Sequence, residues 1–163
     1  NFVFGAKHGI AVLGQADVFV LGHGTDSGIK SAYINGGKSV TFVNTQLVNL
    51  GSPTRNYILL DSGFTGTAKF INTTMWGIPT VAVVVESGTL ELRGGTFQNS
   101  GQYAVALGNG SATVSSMVFY DRPNRAHFYT EANSRRLLAY GNVFTSDRRT
   151  ENGGGSYSGS DLV

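Results

Sequence analysis

The chain has 163 residues, which sets the scale at one domain. Twelve Lys and Arg against ten Asp and Glu leave a formal charge of +2, too even to make a steering field, so nucleic acid is not an expected partner. No cysteine is present, which excludes a disulfide framework and a thiolate metal site, and no apolar stretch reaches the roughly 18 residues of a membrane span.

Residues 1–8 read as a lead-in or the remnant of a preceding coil, and residues 9–146 as a repeat. Six units start at Ile10, Ala32, Tyr57, Ala82, Ala104 and Ala126, in steps of 22, 25, 25, 22 and 22 residues. Those steps suit one turn of a solenoid and are too short for a βαβ unit. Each unit opens with four mostly apolar residues and then passes a turn rich in Gly, Asn, Asp and Ser. An alternating second strand follows, with Val18 and Val20, Val40 and Phe42, Ala68 and Phe70, Leu90 and Leu92, Ala112 and Val114, and Leu137 and Ala139 at its inward positions. A small polar corner comes next (Asn44-Thr45, Asn72-Thr73, Gly94-Gly95, Gly141-Asn142), then a short third strand burying Leu47, Met75, Phe97, Phe119 and Phe144. Pro53, Pro79 and Pro123 all fall in the variable loop that closes a unit, where no ladder bond is lost. Residues 147–163 form a Gly/Ser-rich tail or linker. The expected fold is therefore all-β: a parallel β-helix of about six coils, with no helix.

Three strands per coil, an Asn-bearing corner between the second and third, and a variable loop before the first resemble the right-handed, single-stranded parallel β-helix of the pectate-lyase-like superfamily. The resemblance spans roughly residues 9–146 and is architectural. It implies three parallel sheets and a function connected with polysaccharide, from polysaccharide lyases and glycoside hydrolases to tailspikes and adhesins. It further implies that sugar is held on the outward face of the first-strand sheet.

Alternation offers two sets of first-strand residues for that face. The set with the polar side chains is Ala11, Leu13, Tyr33, Asn35, Ile58, Leu60, Val83, Val85, Val105, Leu107, His127 and Tyr129, and it is assigned outward. Its middle is then an aliphatic strip, which calls for a neighbouring domain or a homo-oligomer partner as cover. The alternative is a shifted register that places both faces in the core.

Asp61 and Glu86 hold the same coil position in adjacent rungs, and a carboxylate pair is what a retaining glycosidase needs. Against this stands the reading of Asp61-Ser62-Gly63 and Glu86-Ser87-Gly88 as turns whose acids cap local amides. Tyr33, His127 and Tyr129 suit sugar stacking or a protein interface alike. Arg122 and Arg125, with Arg135 and Arg136, make a basic patch suited to a carboxylated sugar or an acidic partner, or else solvated turn charges. Lys69 and Glu91 are expected to form an exposed ion pair. No metal site or cofactor is expected. The functional expectation is a segment of a secreted or cell-surface carbohydrate-active protein that binds polysaccharide and, if catalytic, degrades it. The alternative is a non-catalytic shaft or binding module of the adhesin or tailspike type.

Overall fold

The computed structural model describes residues 9–22, 24–26, 32–49, 57–77, 81–98, 102–120 and 126–144. The lead-in 1–8, the tail 147–163, the three prolines, Arg122 and Arg125 lie outside the described residues. The first coil contains β1 (Ile10–Val12), β2 (Val18–Leu21) and β3 (Gly24–Asp26), and the second β4 (Ala32–Ile34), β5 (Ser39–Val43) and β6 (Gln46–Asn49). In the third coil β7 (Ile58–Leu60) precedes a long β8 (Thr67–Gly77), and in the fourth β9 (Val81–Val85) precedes a long β10 (Thr89–Gln98). The fifth holds β11 (Tyr103–Leu107), β12 (Ser111–Ser115) and β13 (Val118–Phe119), and the last β14 (Ala126–Thr130), β15 (Arg136–Tyr140) and β16 (Val143–Phe144). All pairing is parallel, and the described residues contain no helix.

The chain is thus a parallel β-solenoid. β1, β4, β7, β9, β11 and β14 form one six-stranded sheet, with five turns between its first and last strands. β2, β5, β8, β10, β12 and β15 stack as the second. The third strands do not make the separate third sheet that was expected. β8 and β10 run unbroken through the corner, so the second and third ladders form one bent sheet, and the main sheets are two.

The second and third ladders pair in the register that the apolar pattern predicts. Val18, Val40, Ala68, Leu90, Ala112 and Leu137 lie in one column, and Leu47, Met75, Phe97, Phe119 and Phe144 in another. Inside, Phe42 stacks on Phe70 at 4.6 Å and Phe119 on Phe144 at 5.0 Å, because parallel rungs place like side chains directly over one another. Gly22, Asn44, Asn72, Gly94, Ser116 and Gly141 turn the corner with φ between 52° and 66°, the left-handed region open to Gly and tolerated by Asn. Asn72 Nδ2 donates to Asn44 Oδ1 at 2.8 Å, and the buried Thr45 and Thr73 hydroxyls bond at 3.1 Å. Side-chain bonds between rungs therefore run along the corner as well as backbone ones.

The first sheet corrects the assigned face. In the first two coils Ile10, Val12, Ala32 and Ile34 point inward as expected, and in the last coil Phe128 is buried and Tyr129 outward as expected, but in the third, fourth and fifth coils the parity is shifted by one residue. Ile58, Leu60, Val83, Val85, Val105 and Leu107 are buried, and Leu59, Val84 and Ala106 take the outward positions. The cause lies at strand entry. Tyr57, Ala82, Ala104 and His127 are buried as well, so two successive residues face the core where the chain enters the strand, and the apolar run begins one residue before strict alternation does. The aliphatic strip is core, and this face does not call for a partner on that ground. His127, placed outward from the sequence, is 3% exposed and lies 4.5 Å from Phe144 and 5.5 Å from Phe119, ring centre to ring centre.

Candidate functional site

Two columns of side chains make the outward face of the first sheet. One runs Ala11, Tyr33, Leu59, Val84, Ala106 and Tyr129. The other lies two residues further along each strand and runs Leu13, Asn35, Asp61, Glu86, Gly108 and Glu131. It is kept in step by backbone bonds of 2.8–3.0 Å from each residue to the rung before it: Asn35 N–H to Val12 O, Asp61 to Ile34, Glu86 to Leu60, Gly108 to Val85 and Glu131 to Leu107. Residues two apart on a strand share a face, so an apolar-to-aromatic row runs beside one that carries Asp61, Glu86 and Glu131.

Asp61 and Glu86 occupy the adjacent rungs expected of them, but their carboxylates turn different ways. Tyr33 Oη, one rung before, donates to Asp61 Oδ2 at 2.6 Å, and the Ser62 N–H donates to Asp61 Oδ1 at 2.7 Å. The Asp61 hydrogen bond, with partial desolvation and the carboxylate charge, raises the Tyr33 hydroxyl above its ordinary 10.0, and a hydrogen bond with Asn35 opposes the rise. Asn35 Oδ1 also accepts from the Gly63 N–H at 2.9 Å, so the amide braces the turn that carries Asp61. Glu86 leans over the next rung, where a β-carbon placed on Gly108 would stand 2.5 Å from Glu86 Oε2. Only glycine leaves that space open.

Tyr129 is 41% exposed, and its ring stacks on Tyr103 at 4.8 Å and 29°. Tyr33 lies four rungs away, about 19 Å at the usual strand spacing, so the two outward tyrosines do not converge. His127 belongs to the core, Arg135 and Arg136 are exposed at the start of β15, and Arg122 and Arg125 lie outside the described residues. The expected Lys69–Glu91 pair is present at 3.3 Å on the outer face of the second sheet.

Sequence reasoning passed over Tyr103 and Gly108. Tyr103 stands just ahead of an apolar run and carried no periodic signal, and Gly108 read as one more turn glycine. The usable cue for Gly108 was its place in the column of Asp61 and Glu86, whereas Tyr103 pairs with Val81 and Ala126 and no column links it to Tyr129.

Among the described residues, no three His, Cys, Asp or Glu side chains gather as a metal site, and no helix is long and apolar enough to cross a membrane. Comparison with protein-family models, curated proteins and solved structures gives no match for this chain.

Proposed function

We propose that the chain is a polysaccharide-binding β-solenoid segment of a secreted or cell-surface protein, built like the right-handed members of the pectate-lyase-like superfamily, with the outward face of its first sheet as the binding face. The observation that carries this reading is the exposed Tyr129 ring stacked on Tyr103, beside the column of Asp61, Glu86 and Glu131. Aromatic faces take the apolar side of a sugar ring, and carboxylates accept hydrogen bonds from its hydroxyls. That acidic column favours neutral or amino sugars over uronates, which it repels.

The non-catalytic binding module is preferred to the hydrolase or lyase. Asp61 is held by Tyr33 and Ser62 while Glu86 leans toward the opposite neighbour, a poor starting geometry for two carboxyls facing one another across a sugar. Affinity electrophoresis and glycan arrays on the full chain test this. Tyr129→Ala is expected to weaken binding at least tenfold with the fold intact, and retention of wild-type binding counts against the proposed face. Reducing-sugar release, or unsaturated product, that disappears in Glu86→Gln would move the chain to the degrading enzymes.

A further inference from the structure

Three asparagines of the sequence precede a glycine: Asn35, Asn109 and Asn152. Asn152-Gly153 lies outside the described residues. The other two pairs sit in the turn that follows the first strand, in the second and fifth coils, and their side chains differ in how they are held. Asn35 is half-buried; its Oδ1 accepts from the Gly63 N–H at 2.9 Å, and its side chain shares a hydrogen bond with Tyr33. Asn44, Asn72 and Asn142 are likewise anchored through their side chains. Asn109 is exposed, and among the described residues its side chain has no hydrogen-bond partner.

The backbone beside Asn109 is bonded on both sides of one amide. The Asn109 N–H donates to Glu86 O at 3.1 Å, the Ser111 N–H donates to Gly88 O at 3.0 Å, and Gly110 O accepts from the Arg135 N–H at 3.2 Å. The Gly110 N–H between them has no partner among the described residues. Packing requires glycine at this position: a β-carbon on residue 110 would overlap Val85 Cγ1 and stand 3.1 Å from both Gly88 O and Val85 O. An unhindered, unbonded amide nitrogen therefore follows an unbonded side-chain amide.

From this arrangement we infer that Asn109 is a site of spontaneous covalent modification, at which the turn converts its own asparagine to aspartate and isoaspartate. The Gly110 nitrogen gives its proton to water and attacks Asn109 Cγ. A bond forms between them, the Cγ–Nδ2 bond breaks, and Nδ2 takes up a proton and leaves as ammonia. Water then opens the resulting cyclic imide at either carbonyl, giving aspartate or isoaspartate. Water is the only co-reactant, and nothing is oxidised or reduced. At Asn35 the same attack must first break the bonds to Gly63 and Tyr33, so that turn is protected. The product changes the charge of this side of the solenoid. Glu86 leans over Gly108, the residue before Asn109, and Glu131 follows one rung on. A carboxylate at position 109 adds a negative charge beside them, and like charges repel. Isoaspartate also lengthens the main chain by one atom in a turn whose backbone bonds keep the rungs in step. The inference stands apart from the sugar-binding reading.

The test incubates the full chain in neutral buffer for days and follows each asparagine by peptide mapping with tandem mass spectrometry, which reads Asn109, Asn35 and Asn152 separately. A parallel sample in urea removes the fold, and circular dichroism checks that the first sample keeps it. In the folded chain Asn109 is expected to convert about tenfold faster than Asn35, the factor that the bonds holding the Asn35 amide supply. In urea the two are expected to convert at similar rates, because each is then a bare Asn-Gly pair. Aspartate and isoaspartate are expected together at position 109, and faster in mildly alkaline buffer, as attack by the Gly110 nitrogen requires. A folded chain in which Asn109 keeps its amide as long as Asn35 overturns the inference. The same difference between the two in urea as in the fold overturns it as well, since the structure would then play no part. Aspartate without isoaspartate would mean direct hydrolysis and remove Gly110 from the reaction.

Discussion

Two columns turn the chain in every coil, and they differ in what they allow. At the corner between second and third strands, Gly, Asn and Ser exchange freely while φ stays within 52–66°. In the turn leaving the first strand, the backbone bond to the rung before is kept from coil to coil, while the side chain passes from Leu to Asn, Asp, Glu, Gly and Glu. The corner thus holds one conformation by small residues of similar ability, as a scaffold position does. The first-strand turn keeps one backbone bond in common from coil to coil, adds side-chain bonds such as Asn35 to Gly63 N–H only locally, and so lets its residue type vary with the chemistry it carries. Function is to be sought on the side of the solenoid where the backbone does not dictate the residue.

Breaking the scaffold side should have the largest effects. Phe119 is fully buried, stacked on Phe144 and in contact with Phe97, His127 and Phe128 behind the corner. Phe119→Ala is expected to lower stability by about 3–5 kcal/mol in urea denaturation, the usual cost of emptying an aromatic site that cannot collapse. At the corner itself, Asn72→Ala places a β-carbon residue without a compensating amide at φ 52° and removes the bond to Asn44, for a loss of about 1–2 kcal/mol. Asn72→Gly should recover most of that loss. Equal stability of the two variants would mean that the corner does not depend on left-handed backbone.

The same contrast explains what the sequence made legible. The corner and the strands flanking it were readable because alternation there is strict and small polar residues mark each bend: Val40, Ala68, Leu90 and Ala112 fall in one column as counted. The first sheet was not, because Tyr57, Ala82 and Ala104 extend each apolar run inward by one residue, and period counting has no means of telling two successive buried residues from an alternating pair. His127 illustrates the consequence. Its polarity argued for the outward face, yet it occupies the column of Tyr57, Ala82 and Ala104, above the phenylalanines of the third strands. For the site, the column shared by Asp61 and Glu86 was legible from spacing, but the opposite lean of their side chains depends on Tyr33 in one neighbouring rung and Gly108 in the other.

Changes on the chemical side should be smaller. Glu86→Gln keeps the shape of the side chain over Gly108 and is expected to shift stability by no more than about 0.5 kcal/mol in thermal denaturation. Asp61→Asn, which weakens the bonds from Tyr33 and the Ser62 N–H, is expected to cost about 1 kcal/mol. A larger loss for Glu86→Gln than for Asp61→Asn would show that Glu86 is structural and reverse the contrast drawn between the two turns.

The smallest effect sharpens the comparison most, because it reads a single bond. Tyr33 donates to Asp61 at 2.6 Å, and the neutral hydroxyl is the form that this bond and the nearby carboxylate favour. The folded chain therefore holds the Tyr33 proton more tightly than the unfolded chain does. The bond's contribution to stability is complete below the unfolded value near 10.0 and is lost as pH rises through the higher folded value. In an alkaline titration followed by phenolate absorbance, Tyr33→Phe should remove a late-ionising component from the seven tyrosines of the chain. Asp61→Asn should leave that component in place and move it to lower pH, since it removes both the charge and the strongest acceptor. A titration unchanged by Asp61→Asn would mean that desolvation alone holds the proton, and the Tyr33 bond would then no longer count as a reason why the Asp61 carboxylate points away from Glu86.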